Sequence, residues 1–596
     1  MKRFIGLFFL PLLFSTTLSA QSIQYDVFLD DPGSHFFRVN MTVQNVQKSN
    51  RDTLSVAIPA WCCLYQIRDF AQYVQNVRAQ TETGAPLEIR KKDKQTWQVP
   101  IGKTGSVTMS YRVFGNDLSP FGTQLNKKHA FINPALILFY LPEERNWPVS
   151  VTFHAPANWR ILTAATPVPG QVNQFRAASY DDLVDNPVEI GSFVKRSFTS
   201  DGARYDVGFY DYQNSFDLNE FVKMLKRIVH EETVEILHDV PFKRYVFLFQ
   251  IVDSYGSGME HANSCVISFN RNRAQKNVRD LVSLIAHEFF HVWNVKRIKP
   301  KNLFRYDWTK ENYTRALWFA EGGTSYYAAL VRERAGFWTE ADLLSHFAKR
   351  ITQEENDPGR FVESPEQASF NCWFEKYPWY VRPENSISYY RSGEILSFLL
   401  DLKMRLDTRG RFGLDDVLRF MNGWFAKRQV GYNDSADILG IVNSLTGKNY
   451  ADFFRDYVSG TKRPPYEILF KQVGLRFVSQ EEKVPDPGFS AERNFDKPFV
   501  VTAVEPRSGA SKAGLHLNDQ VLKVNGHPTG LYIEDSFRHF PEGKWVDLLV
   551  RRGSKTLHLK YRLTFKTVKK YRLERAAAPT NLQKRILNDW LAGLPK

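Results

Sequence analysis

The sequence predicts a multidomain α+β chain, with a β-rich first third, a mostly helical middle and strands again near the end. Three observations predict it. The chain has 596 residues, more than one hydrophobic core serves, so three or four domains are expected. Its composition, 43% hydrophobic and 24% charged, excludes a disordered or fibrous chain. The hydrophobic period is two up to about Arg196, changes to 3.6 near Ser215, and returns to two beyond Lys471. Four cysteines exclude a disulfide scaffold, and the net charge of +15 attracts acidic partners without identifying one.

The first element is a targeting segment. Lys2 and Arg3 precede the apolar run Phe4–Phe14, and small polar residues follow to Ala20. These are the charged, apolar and cleavage regions of a secretory signal, expected to span 1–20 and to leave Gln21 first, although Leu18 suits the cleavage site poorly. The run is too short for a bilayer, which takes about 20 apolar residues, and no later segment is long and apolar enough. A soluble, exported protein, periplasmic or secreted, is expected.

Residues 21–196 read as an antiparallel β domain. Phe36–Gln44 alternates, with Val39, Met41 and Val43 on one face, and Ser106–Tyr111 and Val149–Phe153 are similar. Residues 197–465 read as the helical domain. Phe216, Leu218, Phe221, Leu225, Ile228 and Val229 share a helical face, and the apolar strand Tyr245–Phe249 follows. Residues 466–568 return to strands at Phe499–Val504, Gln520–Val524 and Trp545–Val550, with Ser479–Lys497 expected as a charged loop. Residues 569–596 are expected as a basic tail or short helix bearing Leu587, Trp590, Leu591 and Leu594.

The chemistry concentrates in 277–293, a helical pattern with Asn277 as its expected N-cap. His287 and His291 are four apart and project from one face, so both can hold one Zn²⁺; Glu288 can reach a water there without being a ligand. Two ordinary histidines in a buried helix is the competing reading. Glu321 lies in the apolar stretch Leu317–Tyr327 and needs a cation or metal as partner; Arg315 is the alternative to a metal. Gly322 and Gly323 after it suit close approach of another helix or of the metal. Gly256–His261 is glycine-rich, and its Glu260 can hold an α-ammonium; a hairpin turn with a solvated carboxylate is the alternative. Tyr389 and Tyr390 offer a hydroxyl for an oxyanion, or are packed aromatics.

The run His287–Pro300, with Trp318–Gly322, Ser388–Tyr390, Gly258–His261 and Tyr180–Glu189, resembles the glycyl aminopeptidase family, gluzincin zinc metallopeptidases with a C-terminal PDZ domain. The resemblance spans nearly all of the chain after Ala20. It implies a β-sheet N-terminal domain, a thermolysin-like catalytic domain and a PDZ module. It implies one Zn²⁺ per chain on His287, His291 and Glu321, Glu288 as general base, and Tyr390 as oxyanion donor. It also implies substrate binding at Gly258, Met259 and Glu260, with Glu260 anchoring the amine. Gly474–Phe477 resembles a PDZ carboxylate-binding loop, and Pro506–Leu515 and Asn518–Gly526 resemble the body of such a domain, whose expected ligand is a C-terminal peptide.

Three departures stand out. Ser392 replaces the usual Lys two residues after the oxyanion tyrosine, Gly323 replaces a bulky residue, and Trp61–Tyr65 replaces a Pro-Gly-Ser-Tyr turn near the substrate cleft. Adjacent Cys62 and Cys63 do not pair easily with each other; burial or a free thiol is expected. The leading expectation is an exported zinc aminopeptidase acting on peptides with small first residues, Gly or Ala. An endopeptidase that captures substrates through its PDZ domain, and a non-catalytic PDZ peptide-binding protein, are the alternatives. The basic residues Lys566–Arg575 read as a solvated face, so no nucleic acid is expected.

Overall fold

A computed structural model describes residues 21–49, 52–62, 65–253, 256–375, 385–492, 498–530 and 532–593. The expected signal segment, 1–20, and Cys63 lie outside the described residues.

The N-terminal domain is built on an eight-stranded sheet. Its order is Thr166–Pro167, Gln174–Ala177, Val149–His154, Ser22–Phe28, Phe36–Gln44, Ser106–Phe114, Val74–Thr81 and Pro86–Leu87. Pairing is antiparallel as expected, except that Ser22–Phe28 runs parallel to Val149–His154. The alternation read from the sequence is the burial pattern: Phe37, Val39, Met41 and Val43 are fully buried, and Arg38 between them is exposed. Each such side chain contributes about 1.5–3 kcal/mol, and a one-residue slip would turn all four to solvent. The core of this domain continues into Val295, Trp308, Leu317, Ala320, Trp373 and Tyr389, which flank the candidate site. An apolar seam of this kind fixes the two domains against each other.

The second domain opens with a five-stranded sheet of β1 (Val194–Ser200), β2 (Ala203–Tyr210), β3 (Arg244–Val252), β4 (Ser257–Glu260) and β5 (Ser264–Asn270), in the order β1-β2-β3-β5-β4. Val194–Arg196, expected to close the first domain, therefore belongs to this sheet. β3 is apolar along its whole length because both faces are covered. Phe247 and Phe249 join the helical core, while Val246 and Leu248 meet Phe131, Leu162 and Phe193. β4 is one of the two edge strands among the described residues and runs antiparallel to β5. Helix α1 (Leu218–His230) buries Leu218, Phe221, Met224, Leu225, Ile228 and Val229, and the Asp217 carboxylate caps it by accepting from the amides of Asn219 and Glu220. The helices that carry the site are α2 (Val282–Phe290), α3 (Gly322–Arg334) and α5 (Tyr389–Asp407), and α4 (Glu340–Glu355) packs against α5.

The C-terminal part departs from expectation. Leu475–Asp486 is a strand, β6, paired residue for residue with β7 (Thr564–Arg575). The charges that read as a loop and a basic tail belong to this exposed ribbon, where Arg476–Glu574 and Lys570–Glu482 pair across the strands. Gly474 sits at φ 87° as the cap of helix Tyr466–Val473, so Gly474–Phe477 begins the ribbon and forms no carboxylate-binding loop. The ribbon lies on α4, where Tyr571 N donates to Thr352 Oγ1 at 2.9 Å. Between its strands sits a six-stranded sheet edged by Phe489–Glu492, which contains the three strands expected there. The chain then returns to the helical domain as α6 (Asn581–Ala592), with Ile586, Leu587 and Trp590 buried. No helix among the described residues is long and apolar enough to cross a membrane.

Candidate metal centre

Asn277 caps a 3₁₀ turn, Val278–Leu281, rather than the helix itself, and α2 starts at Val282. His287 and Glu288 lie in its last turn, and His291 follows at its end. Glu321 is the residue just before α3, and Tyr390 is the second residue of α5. Glycines bring these helices together. A Cβ at Gly322 would stand 2.4 Å from Gly393 Cα, and one at Gly393 would stand 1.9 Å from the Trp318 carbonyl oxygen. Backbone therefore meets backbone where α5 crosses the start of α3. Gly323 differs: a Cβ there would make ordinary contacts at 3.5 Å or more, so the departure at this position opens little space.

His287 Nε2, His291 Nε2 and Glu321 Oε2 form a triangle with edges of 3.1, 3.3 and 3.4 Å. Donor atoms about 2.0–2.1 Å from a tetrahedral zinc lie about 3.4 Å apart, so these residues fit the ion, leaving a fourth position for a non-protein ligand. Arg315, the alternative partner for Glu321, instead stacks on Phe370 and binds Asp434 through its amide. His291 Nδ1 lies 2.6 Å from the Asn294 carbonyl oxygen, which leaves Nε2 unprotonated when a metal is bound. His287 Nδ1 lies 3.4 Å from Ser325 Oγ. Asn294 donates to the carbonyls of Phe319 and Ala320 and to Thr324 Oγ1, tying the chain after His291 to the turn that carries Glu321.

Burial opposes charge on both imidazoles. At His287 it prevails and lowers the pKa; at His291 the carboxylates, Glu321 foremost, outweigh it and raise the pKa to about 10. Burial likewise opposes charge on Glu321, yet the two histidines hold it well below the usual carboxylate range. Glu288 is buried outside the triangle, and burial, with the other carboxylates, raises its pKa well above the usual value. Glu260, Glu288 and His291 offer ligand atoms within 4.8 Å of one another, so the end of the edge strand β4 reaches the same centre. Gly258 is where Glu288 passes the strand: a Cβ there would stand 2.3 Å from Glu288 Cδ. Met259 is buried beside it.

The Tyr390 ring lies 6.1 Å from that of His287 and 4.7 Å from that of Tyr389. Burial first, then Glu321 and Glu260, keep its hydroxyl protonated, so it is a donor. Tyr389, by contrast, is fully buried in the N-terminal core. Ser392, where the family usually has Lys, donates to Glu354 Oε1 at 2.6 Å, and the neighbouring Arg391 supplies a cation to the same carboxylate at 2.7 Å. Sequence reasoning passed over Tyr65. It comes from the N-terminal domain, packs edge-on against Trp373 at 5.9 Å, and stands close enough to Glu321 and Glu260 that they add to the effect of burial on its hydroxyl. Its position in the altered turn was the available signal. Cys62 in that turn is buried, with its sulfur 3.5 Å from Asn133 Oδ1.

Comparison with known proteins adds the following. Residues 24–192 match the peptidase M61 N-terminal domain, 280–396 the M61 glycyl aminopeptidase domain, and 471–562 the PDZ domain. Among solved structures, an aminopeptidase N family protein from Idiomarina loihiensis is 25% identical, with a TM-score of 0.81, covering 95% of this chain and 100% of its own. An M1 zinc metallopeptidase variant from Deinococcus radiodurans, bound to a Tyr-Ser-Ala substrate, is 14% identical with a TM-score of 0.47, covering 75% of this chain and 95% of its own. No curated protein matches the chain.

Proposed function

Given that the chain belongs to the M61 glycyl aminopeptidase family and is a zinc aminopeptidase, we propose that it is exported and removes small N-terminal residues, Gly or Ala, from peptides with one zinc per chain. The observation that carries the site assignment is the triangle of His287, His291 and Glu321 with the Glu288 and Glu260 carboxylates beside it. His287, His291 and Glu321 would hold the zinc. When bound, the ion supplies Lewis acidity, polarising the scissile carbonyl and making water easier to deprotonate.

The remaining work falls to the chain's own groups. Glu288, shielded from solvent, takes a proton from the attacking water and delivers it to the departing amine. Tyr390 donates a hydrogen bond to the carbonyl oxygen as negative charge grows there. Glu260 pairs with the free α-ammonium and sets the cut one residue in. Gly258 and Met259, on the edge strand, offer backbone to an extended substrate. The PDZ sheet has an edge at Phe489–Glu492, which suits addition of a C-terminal peptide strand. Export rests on Met1–Ala20. A panel of aminoacyl amides, free and N-acetylated, tests the reading. Turnover confined to free amines and highest for Gly and Ala supports it; equal turnover of acetylated substrates overturns the exopeptidase assignment in favour of an endopeptidase.

A further inference from the structure

Three segments singled out in the sequence, Tyr180–Glu189, Gly258–His261 and His287–Pro300, have parts that the chemistry above does not use. The structure brings them together at one carboxylate. Asp185 follows the short helix Tyr180–Val184 of the N-terminal domain. Its Oδ1 accepts from Lys296 Nζ at 2.7 Å and from His261 Nδ1 at 3.1 Å; its Oδ2 accepts from the Ala262 amide at 2.9 Å. Burial opposes charge on Asp185, but Lys296 and His261 outweigh it and keep the carboxylate ionised.

Each partner bears on the centre. His261 and Ala262 are the two residues after Glu260, and the His261 amide closes the β4–β5 turn onto the Ser264 carbonyl. His261 is 1% exposed and its Nε2 has no hydrogen-bond partner among the described residues, so Asp185 is the polar group that orients this ring. Lys296 is five residues past His291, and its amide donates to the His291 carbonyl at 3.0 Å. Among the described residues β4 has a neighbour strand on one side only, and beside it the domain seam opens into a cavity of about 950 Å³ walled by Glu260, Ala262, Asp185 and Lys296. An edge strand next to open space holds its end residue poorly without a second attachment. Asp185 supplies that attachment from the other domain and ties it to the segment that carries His291.

We propose that Asp185 is a positioning residue for the amine anchor, holding Glu260 at the centre through His261, Ala262 and Lys296. This rests on the reading of Glu260 given above. Asp185→Asn keeps the volume but loses the charge, and its amide NH2 must face a donor whichever way it turns, either the Ala262 amide or Lys296 and the His261 ring. It should raise KM for free-amine substrates about 10–100-fold, with kcat and zinc content little changed. Two inhibitors isolate the effect: alanine hydroxamate, which has the α-amine, and propionohydroxamate, which lacks it. The variant should weaken the first about 10–100-fold and the second less than about twofold.

His261→Leu should reproduce this loss. His261→Asn, whose amide nitrogen stands where Nδ1 stood, should restore most of it. Combining Asp185→Asn with His261→Leu should cost no more than either alone. The two histidine variants carry the test should Asp185→Asn fail to fold. Equal weakening of both hydroxamates, loss of zinc, or additive effects would mean a general structural role and overturn the proposal. Glu260→Ala separates the two levels. If it abolishes the preference for alanine hydroxamate while Asp185→Asn and His261→Leu preserve it, the positioning role alone fails. If Glu260→Ala leaves that preference intact, the amine-anchor reading fails and the positioning role with it.

Discussion

The indole Nε1 of Trp590 donates to the hydroxyl of Tyr326 at 2.9 Å, joining residues 264 positions apart. Tyr326 lies on α3, the helix that begins right after Glu321, and its hydroxyl donates in turn to Asp401 Oδ2 at 2.5 Å. Asp401 binds Arg405, and Arg405 binds the carbonyl of Asp589 on the same returning helix. The last helix of the chain therefore completes the layer behind the metal centre, and the PDZ sheet with its ribbon is an excursion between two parts of one helical domain.

Trp590→Ala should for that reason act on the helical domain. The side chain is fully buried against Phe347 and Phe398, and its loss leaves a cavity and takes away the donor to the Tyr326 hydroxyl, which keeps its own bond to Asp401. A cost of about 3–5 kcal/mol is expected. Thermal scans should show the transition of this domain lowered by roughly 10 °C, and an unchanged transition would mean that α6 is an appendage.

The metal assignment separates two carboxylates by function. Glu321→Ala should remove zinc, because the triangle loses one corner. Glu288→Gln should retain zinc and lose about 10²–10⁴-fold in kcat, because the buried group outside the triangle is the proposed base. Metal analysis of both purified variants, with single-substrate kinetics, checks this. Near-normal kcat in Glu288→Gln would reassign the base.

Metal uptake should depend on pH with a defined sign. In the metal-free protein the carboxylates around His291 raise its pKa to about 10, whereas burial lowers that of His287. At pH 7 His291 carries a proton that a metal must displace, and His287 carries none. Zinc binding should release at least the His291 proton, and affinity should rise with pH between about 6.5 and 9. Calorimetry in buffers of different ionisation enthalpy measures the count; zero protons released would contradict the charge state deduced for His291.

The parts of this centre that were legible in the sequence are those fixed by local geometry. Spacing of four puts His287 and His291 on one helical face whatever surrounds them, and an acid among apolar residues marked Glu321. The alternation in Phe36–Gln44 likewise declared its own burial. What stayed hidden depends on distant partners. Ser479–Asp486 looked like a loop because that part of the ribbon buries no side chain, and its partner strand begins near Thr564. Asp185 contacts groups 76 and 111 residues away, which no spacing rule connects. Tyr65 reaches the centre because the two domains share an apolar seam, a property of the folded chain alone.

Tyr390→Phe should lower kcat about 10²–10³-fold with little change in KM, since the hydroxyl is engaged mainly as the transition state forms. The ring stays in place, packed on Tyr389 and near His287, so zinc content should hold. An unchanged kcat would move the role to another donor at the centre.

Glu260→Ala gives the sharpest test of exopeptidase action. The carboxylate ends an edge strand and stands within 4.8 Å of ligand atoms of Glu288 and His291, so an ammonium bound to it lies one residue from the scissile bond. A charge-assisted hydrogen bond contributes about 1.5–3 kcal/mol, which corresponds to about 10–10²-fold in kcat/KM. The loss should reach about 10³-fold if the substrate ammonium is left buried without a partner. Zinc content should not change, because Glu260 lies outside the triangle of candidate ligands. Acetylating the substrate amine should abolish cleavage by the wild type and add little further penalty in the variant, because both changes remove the same ion pair. Measuring kcat/KM for both enzymes on both substrates closes a double-substitution cycle. A coupling energy near zero would show that the amine and Glu260 do not meet, and the specificity for a free N-terminus would then have to come from another group.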